Sequence, residues 1–268
     1  MTELFDLALR IQRRDRAARL GAEPFLFERA LSDILERLAL IPRRFERALL
    51  IGCLGPVDAL AAKVGSLEVY DPSALLAEAA GGSSINEEQP AFAAHACDLI
   101  VTIGTLDTIN ALQPVMRALA AALRPDGLLI GAMSGGDTLP ELRAAMRAAD
   151  AMTGGAQAHV HPRIEAAALA PLLGDAGLVR PVVDVDRVRV RYASFARLIA
   201  DLRAMGATNI LVQRPRRGLA RRALIAASEF FTAAGDGQRT TETFEILHFA
   251  AWTPQCPPPA PSVKQLPA

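Results

Sequence analysis

The run Gly52-Cys53-Leu54-Gly55-Pro56 follows four apolar residues, Ala48 to Ile51, and nineteen residues beyond Gly52 stands an acid, Asp71. Glycines let a ligand come close to the backbone, and a carboxylate at that distance can accept hydrogen bonds from both hydroxyls of a ribose. The run is not G-x-G-x-x-G, because Leu54 takes the second glycine position. That spacing counts against a pyrophosphate-binding dinucleotide site. Asp71 has an equally good local use as the cap of a helix starting at Pro72, and spacing alone leaves the two open.

Other side chains carry weaker chemical signals. Asp137 follows Gly135-Gly136 and could face a guanidinium or amine of a substrate, or cap the helix that begins there. His159 lies near Gly154-Gly155 and could serve as a base near neutral pH or as a loop hydrogen-bonding group. His95, His161 and His248 lack clustered acids or cysteines, so no metal site is expected. No serine stands in a G-x-S-x-G elbow. Residues 187–222 carry ten arginines against the single acid Asp201. Such an excess suits an acidic protein or a membrane headgroup surface, although a solvated helix face explains it as well. With Tyr192 and Phe195 as the only aromatics there, single-stranded RNA is a poor fit, and DNA is not expected.

These residues need a scaffold, and the hydrophobic pattern supplies one. Two amphipathic segments, 3–20 and 25–40, read as helices. Apolar strands follow at 47–51, 67–70, 99–103 and 128–131, separated by helical stretches at 56–63, from Pro72, at 111–123 and at 138–150. Beyond Gly154-Gly155 come a helix at 164–176, a strand region at 182–190, two more helices and a last strand at 243–251. Strand and helix in alternation imply a doubly wound α/β sheet, with ligands outside the carboxyl ends of its strands. The expected organisation is one domain over 1–253, with a helical cap at 1–42, a cofactor half at 43–150 and a substrate-covering half at 151–253. A Pro-rich tail at 254–268 is expected to be disordered.

The 268 residues are 51% hydrophobic, enough for one large core, and 29 basic side chains balance 29 acidic ones. Only Lys63 and Lys264 among the basic residues are lysine. Cys53, Cys97 and Cys256 show no disulfide or zinc spacing, which fits a reducing compartment. The acidic start of the chain and the absence of any long apolar run argue against export or membrane spanning. The expected location is cytoplasmic, with peripheral attachment to the inner face of the membrane as the alternative.

The stretch Gly131-Ala132-Met133-Ser134-Gly135-Gly136-Asp137-Thr138-Leu139, followed by Glu141-Leu142-Arg143, carries a resemblance. So do Phe5-Asp6 with Ala8-Leu9, His159 with Pro162, and Met205-Gly206 with Asn209. On these residues the chain resembles the class I S-adenosylmethionine-dependent methyltransferases, in particular the branch containing a mitochondrial complex I assembly factor that modifies an arginine of a core subunit. The malonyl-acyl-carrier-protein methyltransferase of biotin synthesis is a more distant likeness. The resemblance implies a Rossmann-like doubly wound sheet with N-terminal helices and a helical insertion. It also implies S-adenosylmethionine as cofactor, Gly52, Cys53 and Gly55 as the cofactor loop, Asp71 as ribose ligand, and Asn86 with Glu87 as the adenine-side pair. The chain departs from the family at Leu50 in place of an acid, at Leu54 and Pro56 in place of glycines, and at Asp107-Thr108 in place of a His-Trp pair. Those changes predict a weakened cofactor loop.

The leading expectation is therefore an S-adenosylmethionine-dependent methyltransferase-like protein acting on a protein or small acceptor. Asp107, Asp137 and His159 are its candidate catalytic residues. One alternative is a complex I assembly factor linked to arginine hydroxylation, and another is a binding module without catalysis. Replacing Asp71 with alanine is expected to weaken the cofactor and leave stability little changed.

Overall fold

The computed structural model describes residues 3–21 and 23–255. Two helices lead the chain, α1 (Leu7–Leu20) and α2 (Phe25–Ala39). Asp6 caps α1 by accepting from Leu9 N at 3.0 Å, and Gly21 ends it at φ +58, where the backbone N–H closes back on Ala17 O. The sheet then builds through β1 (Phe45–Ile51), α3 (Asp58–Ala61), β2 (Val64–Asp71), α4 (Ala74–Ala79), β3 (Ser83–Ser84) and β4 (Cys97–Ile103). After a 3-10 turn at Leu106–Thr108 come α5 (Leu112–Ala122), β5 (Leu123–Ser134), α6 (Pro140–Ala151), α7 (Ala166–Asp175) and β6 (Val179–Tyr192). The chain finishes with α8 (Phe195–Ala204), α9 (Arg221–Ala233) and β7 (Thr240–Trp252).

The seven strands run β3-β2-β1-β4-β5-β7-β6. The first five pair in parallel, whereas β7 is antiparallel to both β5 and β6. The order reverses between β1 and β4, so the carboxyl ends of these two strands flank the place where such sheets bind ligands. Every residue of β4 is buried, as a central parallel strand requires. Alternation along the strands divides the core. Ala48 and Leu50 of β1 pack with α2, α3 and α4, while Leu49 and Ile51 face α5 and α7. A third cluster joins α6, α8 and α9 to Tyr192 and Phe244, at the far ends of β6 and β7.

The architecture is the α/β sheet expected, but several boundaries differ. The two-residue β3 was too short for any periodicity to mark. Pro72 lies outside α4, whose cap is Ser73, so Asp71 is not a helix cap. β5 begins at Leu123 and carries the Pro125–Gly127 excursion inside it, between the pairings Cys97↔Leu123 and Leu99↔Leu128. β6 and β7 form a long antiparallel ribbon that extends one to three residues beyond each end of the expected strands, because an edge strand tolerates the polar residues that hid its ends. Pro254 O accepts from Asp126 N, which ties the start of the expected tail to the domain; residues 256–268 of that tail, Cys256 among them, lie outside the described residues.

Candidate functional site

Asp71 closes β2 with its side chain fully buried. Its Oδ1 accepts from Ser73 N at 2.9 Å and Arg14 Nε at 2.8 Å, and its Oδ2 accepts from Cys53 N at 2.9 Å and from Arg14 Nη2. Burial works against the Arg14 charge, but Asp71 beside it outweighs burial and raises the guanidinium pKa. One helical turn earlier, Arg10 donates to Glu87 through Nε at 2.6 Å and Nη2 at 3.1 Å, and also to Gly104 O at 3.2 Å. Arg10, Arg14 and Ala17 form the buried stripe of α1. The two carboxylates expected on the ribose and adenine sides thus each hold a guanidinium from one face of one helix.

Helix α1 is fixed in place at both ends of this contact. Asn110 Oδ1 accepts from Leu4 N and Phe5 N, Phe5 bridges to Leu211, and Asp6 pairs with Arg214 at 3.1 Å. Further along, the position a Gly206 Cβ would take lies 3.4 Å from Arg14 Cα.

The loop after β1 is closed in the same way. Gly52 holds φ +91, and a Cβ there would lie 2.3 Å from Ile103 O and 2.5 Å from Thr105 Cγ2. A Cβ on Gly55 would lie 3.1 Å from Pro24 and 3.2 Å from Phe27, so the loop packs against α2. The glycine positions are filled by the protein itself. Cys53 is buried beside Asp71, and burial followed by that carboxylate pushes its thiol up to about 12. Leu50 is fully enclosed in the core, which explains why this strand does without an acid. Asn86 is exposed and bonded only to its own loop, where its Oδ1 accepts from Glu88 N. Gly52→Ala is expected to cost about 2–4 kcal/mol, since positive φ and a backbone clash act together, and a lowered urea midpoint with unchanged slope would show it.

A cavity of about 130 Å³ opens at the carboxyl ends of β4 and β5. Its apolar wall includes Phe27, Leu54, Ala132, Met133, Met205 and Phe244, and its polar groups include Arg10, Arg14, Asp107, Ser134, His161 and Arg163. Arg163 Nη1 donates to Asp107 Oδ2, and both side chains are 6% exposed. Burial would raise the Asp107 pKa, but Arg163, followed by Arg10, holds it below the usual carboxylate value. Asp107 Oδ1 is buried without a hydrogen-bond partner among the described residues. His161 Nε2 accepts from Ile210 N at 2.9 Å, and its ring meets Phe5 edge-on. Burial first and Arg163 second push its pKa down to about 3, so the imidazole is neutral.

Of the three catalytic candidates, only Asp107 lines this cavity. Asp137 is 65% exposed and pairs with Arg187 at 3.0 Å; it does not cap α6, whose N-cap is Leu139 at φ +62. His159 Nε2 bonds Asp150 Oδ1 at 2.8 Å, pinning its loop to α6. The sequence reading missed Arg10, Arg14, His161 and Arg163. The signal available for the first two was a helical stripe bearing arginine where an apolar residue belongs. No group of residues that could hold a metal occurs among the described residues. Arg187, Arg191 and Arg214 of the basic run are spent on ion pairs with Asp137 and Glu245, Asp236, and Asp6.

The methyltransferase domain family matches residues 24–180, more than half of the chain. The chain belongs to this family. As a methyltransferase-family chain it is 30% identical to the human mitochondrial arginine-hydroxylase NDUFAF5, over 93% of its own length and 76% of that protein. It is 31% identical to the malonyl-[acyl-carrier protein] O-methyltransferase of Laribacter hongkongensis, over 64% of its length and 56% of that enzyme. Among solved structures, the YcgJ protein from Bacillus subtilis shares the fold with a TM-score of 0.59 at 12% identity, covering 85% of this chain and all of that one. The fold is that of the S-adenosylmethionine-dependent methyltransferases.

Proposed function

We propose that this methyltransferase-family chain uses S-adenosylmethionine to modify a protein or small acceptor seated in the cavity at the ends of β4 and β5. The cavity carries the reading: it lies at the carboxyl ends of the strands, beside the switch point, and joins an apolar wall to one buried carboxylate with a free acceptor atom. Asp71, at the end of β2, and Glu87, in the loop after β3, are the right chemistry for the adenosine side, but in this conformation Arg14 and Arg10 hold both, and Asp71 has no acceptor position left for a ribose. Asp107 orients the acceptor, and the neutral His161 lines the same space without bringing a charge. Calorimetric titration of the full chain with S-adenosylmethionine tests the reading. Heat from a single saturable site supports it, and none up to millimolar cofactor refutes it.

A second reading has an observation of its own. Asp107 already holds the guanidinium of Arg163, so this carboxylate suits an arginine acceptor, and the human relative is named an arginine-hydroxylase. The mass gained by a modified acceptor separates the two, a methylene for methylation and an oxygen atom for hydroxylation. If neither mass appears, the binding-module reading stands.

The acceptor surface we assign is the exposed basic run Arg216, Arg217, Arg221 and Arg222, with Leu219 and Leu224 beside it, and its partner is an acidic protein. Capture of such a partner should fall steeply between low and physiological salt and disappear on charge reversal of the four arginines. Capture indifferent to both leaves a solvated surface only. No helix among the described residues is long and apolar enough to cross a membrane. Cys53 and Cys97 are unpaired thiols, which suits the reducing cytoplasmic compartment of this reading.

A further inference from the structure

We infer that helix α1 is a built-in plug of the adenosine subsite, whose two arginines substitute for the cofactor on Asp71 and Glu87 and must leave before it can bind. The inference rests on the cofactor reading above and goes beyond it, because it states what occupies the site when the cofactor is away. An acid at the end of β2 serves a ribose only if its lone pairs are free. Here Arg14 takes one position on each Asp71 oxygen, and the amides of Cys53 and Ser73 take the others. A carboxylate has about four acceptor positions in all, so none remains for two hydroxyls. Glu87 is engaged by Arg10 through both of its oxygens.

The arrangement is an exchange of like for like. A guanidinium offers paired N–H donors to a carboxylate, and a ribose offers paired O–H donors to the same atoms. The amides of Cys53 and Ser73 belong to the loop and to the helix cap, so they stay with Asp71 in either state, and α1 is the component that can be removed. Both arginines sit on one helix at a spacing of four, so one rigid movement withdraws them together. The helix is held at its start by Asn110, by the Phe5–Leu211 bridge and by the Asp6 cap and Asp6–Arg214 pair, and beside the subsite by Asp15, which accepts from Ser73 Oγ; the links made by Asp6 can be removed without touching the subsite. In the plugged state the apparent affinity for the cofactor is the intrinsic one reduced by the fraction of molecules with α1 withdrawn.

The test uses the full chain, S-adenosylmethionine as probe, and hydrogen exchange resolved to peptides. Asp6→Ala removes the cap and the Arg214 pair, which raises the withdrawn fraction and should tighten binding about fivefold to tenfold. Arg10→Gln, which loses the Glu87 pair and keeps Arg14, is the second variant and should act in the same direction. Cofactor added to the parent should speed exchange in α1 while leaving β1, β4 and β5 protected. Binding that is equally tight in parent and variants, with α1 as protected as before, would overturn the proposal, since the arginines would then coexist with the cofactor. If no form binds the probe, exchange in the free protein decides. Amides of α1 that open well below the sheet core, with the Cys53 and Ser73 amides still protected, uphold the plug and count against the cofactor reading alone, whereas α1 amides that open only with the sheet core make α1 a fixed part of the fold and end the proposal.

Discussion

Truncating Arg14 to alanine should lower the unfolding free energy by about 3–5 kcal/mol, because it strands the Asp71 carboxylate in the interior with two of its four hydrogen bonds gone. Asp71→Ala should cost a similar amount by leaving the Arg14 guanidinium buried and unpaired and the amides of Cys53 and Ser73 without acceptors. This corrects the sequence-based expectation that the aspartate could be removed with little effect on stability, which assumed a carboxylate facing a ligand and not one built into the interior. The double change Arg14→Ala with Asp71→Ala should cost less than the sum of the two single changes, since no lone charge then remains. Urea midpoints for the four proteins at one pH measure the coupling. A coupling near zero would mean that Arg14 and Asp71 do not depend on each other in solution.

Acid should destabilise the protein through His161 well before ordinary carboxylates begin to titrate. In the folded state its pKa is pushed down to about 3 by burial, and Arg163 adds to the shift, while in the unfolded chain an imidazole titrates near 6.5. Below pH ~6.5 the unfolded state therefore binds a proton that the folded state refuses. The stability associated with the neutral ring is complete above pH ~6.5 and is lost as the pH falls toward ~3, at up to ~1.4 kcal/mol per pH unit. His248 is shifted the same way, by burial, so the slope of the parent contains both. His161→Gln keeps an acceptor for Ile210 N and does not titrate, so the difference between the two slopes from pH ~6.5 to ~4.5 isolates His161. Parallel unfolding curves for parent and variant over that range would show that the ring is charged, or hydrated, in the folded protein.

The sheet was legible because buried strands leave an apolar run and flanking helices leave a stripe. Ala48 to Ile51, Leu99 to Ile103 and Leu128 to Ile130 all became central strands, for they are enclosed on both faces. The antiparallel ribbon was read a few residues short at each end, because Arg180-Pro181 and Arg191 bound β6 with residues that look like turn or solvent-facing chain. The site was harder to read. Spacing brought out Asp71, which closes β2, and the family resemblance brought out Glu87 in the loop after β3, but neither says which distant side chain reaches them. Arg10 and Arg14 are separated from their partners by 77 and 57 positions, and an arginine on an amphipathic helix looks solvated until the helix is docked. His161 was set aside for want of neighbouring metal ligands, yet its environment is made by Phe5, Ile210 and Arg163, which only the fold brings together.

The third hydrophobic cluster has a kinetic meaning. Its members come from α6, α8 and α9 and from the ribbon ends at Tyr192 and Phe244, and they enclose one another separately from the two layers that sandwich the sheet. Such a unit is expected to open sub-globally, at a free energy below that of full unfolding, which native-state hydrogen exchange of α6, α8 and α9 would show. Leu202, Met205 and Phe244 of this unit form one side of the cavity, and Ile103 and Ala132 of the sheet form the other. For the acceptor proposed above, if it is too bulky to enter while that layer is closed, the rates of entry and departure should follow the opening rate of the layer and not the frequency of diffusional encounter.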